Sequence, residues 1–364
     1  MEKKIESLQG LRALAFIGVF CYHTYSNVFG SSGVWGVSVF LVMSGFLLIL
    51  NYYRKGRIVS ADVISNFRFA VGRIFRLYPL HLLGIALMFI FDICGEDAYS
   101  LQEGIIHLIT NVLVVQTWFP GIDNIVGVTW YLSTILFAYF MFPFVLQYME
   151  RGYKSNKCAW VAIVLLWLVQ IVFVYVGMTI DKNNHDVHQW LSFFPIIRFV
   201  EVLIGCNLGY LFLNRKDERI EVRKSTGIEV SILLIMGILI FVNDIPFASF
   251  RNCFFAITSC IAVWMFSKGE GYISKALTNR IVLKIAELSA YAFIIHVVVF
   301  WYIEVILYHF GILDIIGYTW LRIIKLTIGF VITMLLSEGY DRVLKYCISY
   351  KKKHISSMDM PVNG

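Results

Sequence analysis

The chain has 364 residues, of which 59% are hydrophobic, 16% aromatic and 15% charged, with a mean hydropathy of +0.73. Soluble domains average about 45–50% apolar and about 25% charged residues, so a water-soluble globular protein is excluded and a bilayer is the natural solvent. The net charge of +7 would suit nucleic acid only if the basic residues formed a patch, and their placement along the chain rules that partner out.

The N-terminus does not read as a cleavable leader. Met1–Glu6 is charged, but the apolar stretch behind it is a full span without a small-residue cleavage site, so the first helix is expected to stay. Ten apolar segments follow in order: 8–28, 33–51, 77–95, 127–149, 158–178, 190–213, 227–243, 250–267, 282–309 and 318–345. Each is long enough to cross a hydrocarbon core of about 30 Å. The expected fold is therefore all-α: a polytopic membrane helical bundle of about ten transmembrane helices. One membrane domain over 1–350 is expected, with a short basic and polar tail over 351–364. No repeat, low-complexity tract or soluble domain interrupts it. Cys21, Cys94, Cys158, Cys206, Cys253, Cys260 and Cys347 are scattered through apolar runs without metal-ligand spacing. They read as small buried hydrophobes, and no metal is expected.

Lysine and arginine in the loops set the orientation. With a cytoplasmic N-terminus, the inside segments hold 25 of the 31 basic residues, the outside loops hold only Lys182 and Arg251, and Arg12, Arg198, Arg322 and Lys325 lie within spans. Both termini are then cytoplasmic. The longest inside loop, 52–76, is strongly basic. The longest outside loop, 96–126, has no Lys or Arg, and Leu101–Trp118 within it is expected to lie as a helix on the membrane surface.

Ionisable groups inside spans are costly and mark function by default. Arg12 and His23 are eleven residues apart on the first span. That is three turns, about 16 Å along the axis and close to one face, so both are expected to look into one polar cavity. A neutral imidazole at depth suits proton abstraction from a hydroxyl, and this reading is preferred to a structural histidine bonded to a neighbouring helix, because a lone histidine at depth gains little unless a cavity needs it. Arg73 and Arg76 open the third span at i, i+3. Two guanidiniums there would suit phosphates, but spacing alone favours simple anchoring at the interface. Arg198 and Glu201, also at i, i+3, are expected to form a structural ion pair beside the cavity. His81 and His296 read as structural. Arg322 and Lys325 are expected to snorkel outward. Trp130 and Tyr131 read as interfacial belt residues. Gly30, Gly33, Gly36 and the Ser44-Gly45 pair allow close helix approach or leave room for a slender substrate arm.

These pieces resemble, in order and from about residue 6 to 347, the acyltransferase 3 family of integral membrane acyltransferases, which commonly O-acetylate bacterial surface polysaccharides. Ser7-Leu8-Gln9-Gly10-Leu11-Arg12-Ala13 followed by His23 is similar to the family's Arg-x10-His opening. Val37 to Leu47, with Ser44 and Gly45, resembles its second-span signature. Arg73-Ile74-Phe75-Arg76-Leu77-Tyr78-Pro79 resembles its Arg-x-x-Arg motif. Arg198-Phe199-Val200-Glu201 with Gly205, and Ser289 through His296, resemble its later spans.

The resemblance implies a catalytic His23, aided by Arg12, and a coenzyme A phosphate site at Arg73 and Arg76. It implies supporting roles for Arg198, Glu201, Ser44, Trp130 and His296. No permanently bound cofactor is implied. The donor would be acyl-CoA, with acetyl-CoA the usual one, and the acceptor a glycan or lipid-linked glycan at the cell membrane. His23 could be a general base or a transient acyl carrier. Gln9 stands where many members have Asp. Ile135 and Leu136 stand where many have glutamates after the Trp130-Leu132-Ser133 stretch, which removes a carboxylate partner for His23 from that helix. Some members carry a further extracytoplasmic hydrolase-like domain, and none is expected here. A multi-pass carrier or glycan exporter, or a non-catalytic partner of a polysaccharide synthase, would also place polar groups at depth. Inverted repeats and broken midplane helices are not evident.

Overall fold

The computed structural model describes residues 5–56, 62–94, 100–180, 192–215, 221–241 and 250–358. Among them the chain forms helices and turns without strands. In order the helices are α1 (Glu6–Phe29), α2 (Ser32–Tyr52), α3 (Val63–Ile74), α4 (Tyr78–Cys94), α5 (Leu101–Val112), α6 (Trp130–Gly152) and α7 (Asn156–Ile180). Then come α8 (Pro195–Leu213), α9 (Val222–Phe241), α10 (Arg251–Lys268), the short α11 (Tyr272–Ala276), α12 (Arg280–His309), α13 (Ile312–Ile324) and α14 (Phe330–Met358). A π turn at Lys325–Gly329 joins the last two.

A helix occupies each of the ten apolar segments, but the count of ten spans is not reached by apolarity. Seven helices are long and apolar enough to cross a membrane, with α13 and α14 taken as one, and eight if the bent pair α3–α4 is one span. The two that fall short are α1, which carries Glu6, Gln9 and Arg12, and α10, which is broken up by Asn252, Thr258, Ser259 and Ser267. The apolar residues of α1 are wrapped by protein: Leu8, Leu11, Ala15 and Phe16 are fully buried. A helix shielded from lipid can carry polar groups that lipid would not tolerate.

The basic loop after α2 is partly helical. Asp62 caps α3 by accepting from the Ser65 N–H at 2.9 Å, and α3 leaves Val63, Ile64, Phe67 and Val71 exposed. An amphipathic helix of this kind suits the membrane surface. The chain then turns by 66° into α4, because Pro79 cannot continue a hydrogen-bonded helix from the preceding turn.

On the loop after α4, the expected surface helix is α5, followed by a 3₁₀ turn at Gln116–Trp118. Ser100 and Glu103 form its capping box, with Glu103 accepting from the Ser100 hydroxyl at 2.7 Å. These bonds to the charged form hold the Glu103 carboxyl below the usual range. His81 ties α4 to α5 through the carbonyl of Asn111 at 2.9 Å, which is a structural role.

Helix α2 is the axis of the bundle and packs against α1, α8 and α10. Glycines set these contacts. A Cβ on Gly45 would fall on the Val202 carbonyl oxygen, one on Gly205 on that of Val42, and one on Gly36 on that of Ala15. Lipid-immersed helices associate through such close backbone packing, since lipid tails are as apolar as leucine. At the end of α10, Gly269 adopts φ +65°, the left-handed cap that favours glycine.

At the basic end of the bundle, Glu287, Glu338 and Asp341 pair with Lys284, Arg342 and Lys345. At the other end Arg322 lies over the Tyr25 ring at 3.9 Å, and Lys325 pairs with Glu304 at 2.5 Å. The last helix continues to Met358, so the first part of the expected tail is helical. Lys3, Lys4, Arg57, Lys182, Lys216 and Arg219, used above to orient the chain, lie outside the described residues.

Candidate active site

The single polar cavity expected around α1 is two chambers. The first, of about 270 Å³, is lined by Arg12, Ser44, Asn51, Arg73, Tyr131 and Tyr139 among others. The second, of about 360 Å³, is lined by Tyr22, His23, Trp130, Arg198, Arg251 and Asn252 among others. Arg12 and His23 share a helix face, as the spacing requires, but they open into different chambers. Phe293 of α12 lines both. Its ring centroid lies 5.3 Å from that of Tyr131 and 6.0 Å from that of Phe40, which are 6.4 Å from each other. The three rings, from α12, α6 and α2, stand between the chambers.

In the first chamber the Arg73 guanidinium is held by aromatic side chains. Its Nη2 donates to the Tyr52 hydroxyl at 2.7 Å. Its guanidinium lies 5.2 Å from the Tyr52 ring, 5.3 Å from the Phe69 ring and 5.8 Å from the Tyr139 ring. Arg76 differs from expectation. The i, i+3 argument needs one continuous helix, but Arg73 ends α3 and Arg76 sits in the turn before α4. Arg76 is exposed and does not line the chamber. Its carbonyl accepts from the Tyr340 hydroxyl at 2.8 Å. Ser44 donates to the Phe40 carbonyl at 2.7 Å, and the Ile135 side chain closes the wall where a carboxylate was missing from the sequence.

In the second chamber His23 is exposed to the cavity. Its ring lies 5.1 Å from Tyr22 and 5.2 Å from His296. His296 is fully buried, among the rings of Phe16, Phe20 and Phe300. Its Nδ1 is 3.1 Å from the Ala292 carbonyl. A carbonyl only accepts, so Nδ1 carries the proton and a neutral ring keeps its lone pair on Nε2. That Nε2 is buried without a protein partner among the described residues. The histidine read as merely structural therefore presents an acceptor beside His23.

Arg198 and Glu201 pair at 2.7 Å with 2% and 0% exposure. Gln170 donates to Glu201 at 3.2 Å, and the Arg198 guanidinium lies 5.5 Å from the Trp130 ring. Trp130 also packs on Phe193, with ring centroids 4.7 Å apart. The pair stands at the wall of the second chamber, which Arg198 and Trp130 both line.

Sequence reasoning missed Phe293, Phe40 and Tyr131 as dividers, since aromatics are common in every span. It also missed Glu229, fully buried on α9. This carboxylate accepts from the backbone N–H groups of Gly271, Ile273 and Ser274 at 3.1–3.3 Å and from the Ser274 hydroxyl at 2.5 Å. Its role is to seat α11 against the bundle. A carboxylate near the start of an apolar segment was the available signal.

A multi-pass helical bundle with two adjoining polar chambers, guanidiniums lining both and paired imidazoles beside the second, is the class of protein defined here. The chain belongs to the acyltransferase 3 family, whose acyltransferase domain matches residues 5–338. It is similar to the O-acetyltransferase OatA of Staphylococcus aureus (strain NCTC 8325 / PS 47), with 25% identity over 305 residues, 79% of this chain and 46% of that protein. It is similar also to the peptidoglycan O-acetyltransferase OatA of Listeria monocytogenes serovar 1/2a, with 23% identity over 301 residues, 76% of this chain and 46% of that protein. The chain thus spans about half the length of these relatives. No solved structure matches.

Proposed function

We propose that the chain is an O-acetyltransferase of the cell membrane that moves an acetyl group from cytoplasmic acetyl-CoA to a hydroxyl of a cell-wall or cell-surface glycan. The observation that carries this reading is the pair of chambers meeting at Phe293, with Arg73 and Arg12 on one side and His23 on the other. The acceptor class is taken from the Listeria relative, a peptidoglycan O-acetyltransferase by name. The orientation follows from the basic loops, with ten spans and both termini inside.

In this reading Arg73, with Arg76 and the basic loops behind it, holds the coenzyme's phosphates. Arg12 steers the pantetheine arm, because it opens into the first chamber and not the second. The acceptor hydroxyl comes from the outer side. The His23–His296 contact, 5.2 Å between ring centroids, supports His23 as general base: His296 packs against the His23 ring inside the protein, and a ring nitrogen of His23 facing the second chamber accepts the hydroxyl proton. The hydroxyl oxygen attacks the thioester carbon, the C–O bond forms and the C–S bond breaks. The proton passes from His23 to the departing thiolate, so coenzyme A leaves as the thiol. General-base catalysis contributes about 10²–10⁴ in rate.

The test is acetyl-CoA binding and thiol release by detergent-purified wild type beside His23→Ala. The expected result is slow release by the wild type alone, with binding kept in both. Wild-type release by folded His23→Ala removes His23 from the chemistry. Neither binding nor release by folded wild type favours a carrier instead.

A further inference from the structure

We propose that Phe293, closed against Phe40 and Tyr131, is the partition that fixes the length of the acyl group this chain transfers. The proposal rests on the acyltransferase reading above and adds a specificity-determining residue to it.

Phe293 is 5% exposed and Phe40 is 8% exposed, yet each borders a chamber. Centroid separations of 5.3, 6.0 and 6.4 Å around the trio are those of rings in van der Waals contact. Of the three, Phe293 is the one that lines both chambers. Behind the trio, the Phe293 ring lies 6.2 Å from that of His296, which in turn lies 5.2 Å from that of His23. The Phe293 ring therefore touches both the wall of the first chamber and the ring of His296.

A coenzyme A thioester approaching from the first chamber has a fixed geometry. With its phosphates held near Arg73, the pantetheine arm sets how far the sulfur reaches, whatever acyl group it carries. Only the acyl group extends further, and it extends into the three rings. An acetyl group presents a carbonyl and one methyl. Each added methylene must displace the Phe293 ring, which packs on Phe40, Tyr131 and His296. Phe40 is on α2, whose backbone is in contact with α1 and α8 at glycines, so it cannot retreat. Phe293 is the member that touches both chambers, and truncating it joins them.

The test measures thiol release from acetyl-CoA, butyryl-CoA and hexanoyl-CoA by detergent-purified protein with no added glycan. Water then takes the place of the acceptor, so each thioester yields its carboxylic acid and the coenzyme A thiol. Wild type, Phe293→Ala and the more conservative Phe293→Leu are compared. One methylene in a closed apolar pocket discriminates about 10–200-fold. The wild type is therefore expected to prefer acetyl-CoA to butyryl-CoA by at least about tenfold. Phe293→Ala should erase that preference, with Phe293→Leu between the two. The Leu variant keeps the test available if the Ala variant is not monodisperse.

Two results overturn the proposal while leaving the acyltransferase reading intact. One is a wild type that releases thiol equally from acetyl-CoA and butyryl-CoA. The other is an acetyl-to-butyryl ratio unchanged in both variants while acetyl-CoA turnover persists. A folded wild type that neither binds any of the three thioesters nor releases thiol from them overturns the acyltransferase reading, and this proposal with it.

Discussion

Replacing Glu201 with Ala removes a carboxylate that is fully buried and lies 2.7 Å from a guanidinium only 2% exposed. Breaking a buried pair by deleting one partner costs about 3–5 kcal/mol, because the other charge is left uncompensated. Gln170, which donates to the same carboxylate, loses its acceptor, which adds about 1 kcal/mol. Against a native stability on the order of 5–15 kcal/mol, that is a large part of the total. Glu201→Gln keeps an acceptor oxygen and is expected to lose only about 1.5–3 kcal/mol, the value of a hydrogen bond to a charged group. Arg198→Leu alone strands the carboxylate and should cost as much as Glu201→Ala. The double variant Arg198→Leu with Glu201→Leu strands no charge, only the Gln170 amide, and should lose about 1 kcal/mol, far less than either single variant. The assay is thermal unfolding of detergent-purified protein followed by size-exclusion chromatography, run as a double-mutant cycle. A Glu201→Ala protein as stable as wild type, or a double variant as damaged as the sum of the singles, would refute the reasoning.

Arg73→Ala is expected to weaken acetyl-CoA binding by at least about tenfold, which is 1.4 kcal/mol. Arg76→Ala should do less, because only Arg73 lines the first chamber; equilibrium binding of labelled acetyl-CoA ranks them. His296→Phe keeps the aromatic packing but removes the acceptor beside His23. Thiol release should fall while the melting temperature moves little, and unchanged release would remove His296 from the site. Gly205→Val forces side-chain atoms onto the Val42 carbonyl and should destabilise by about 1–3 kcal/mol as overpacking, read as a lowered melting temperature.

Much of the architecture was legible because the bilayer writes it plainly: apolar length put a helix on each of the ten segments, though only seven or eight helices are apolar enough to span, and the 100° period placed Arg12 and His23 on one face. What period cannot show is what stands between two residues on that face. The rings that divide the cavity come from α2, α6 and α12, which are distant in sequence. The Arg73–Arg76 spacing misled because Pro79 breaks the helix that the i, i+3 argument assumes. His296 looked structural because its distance from His23 depends on how α1 and α12 pack. Arg198 and Glu201 were readable because their partnership is local. Glu229 was not, because its four donors lie 42–45 residues downstream.

The backbone contacts of α2 bear on how the protein moves. Two helices whose glycines meet the facing backbone have no soft side chains to compress, so sliding or tilting α2 would break contacts along its length. Passage between the chambers then falls to parts that can change shape alone. The Phe293 and Tyr131 side chains, swinging about their own χ angles, are such parts. Buried aromatic rings turn only when their surroundings loosen, so passage is rare and brief.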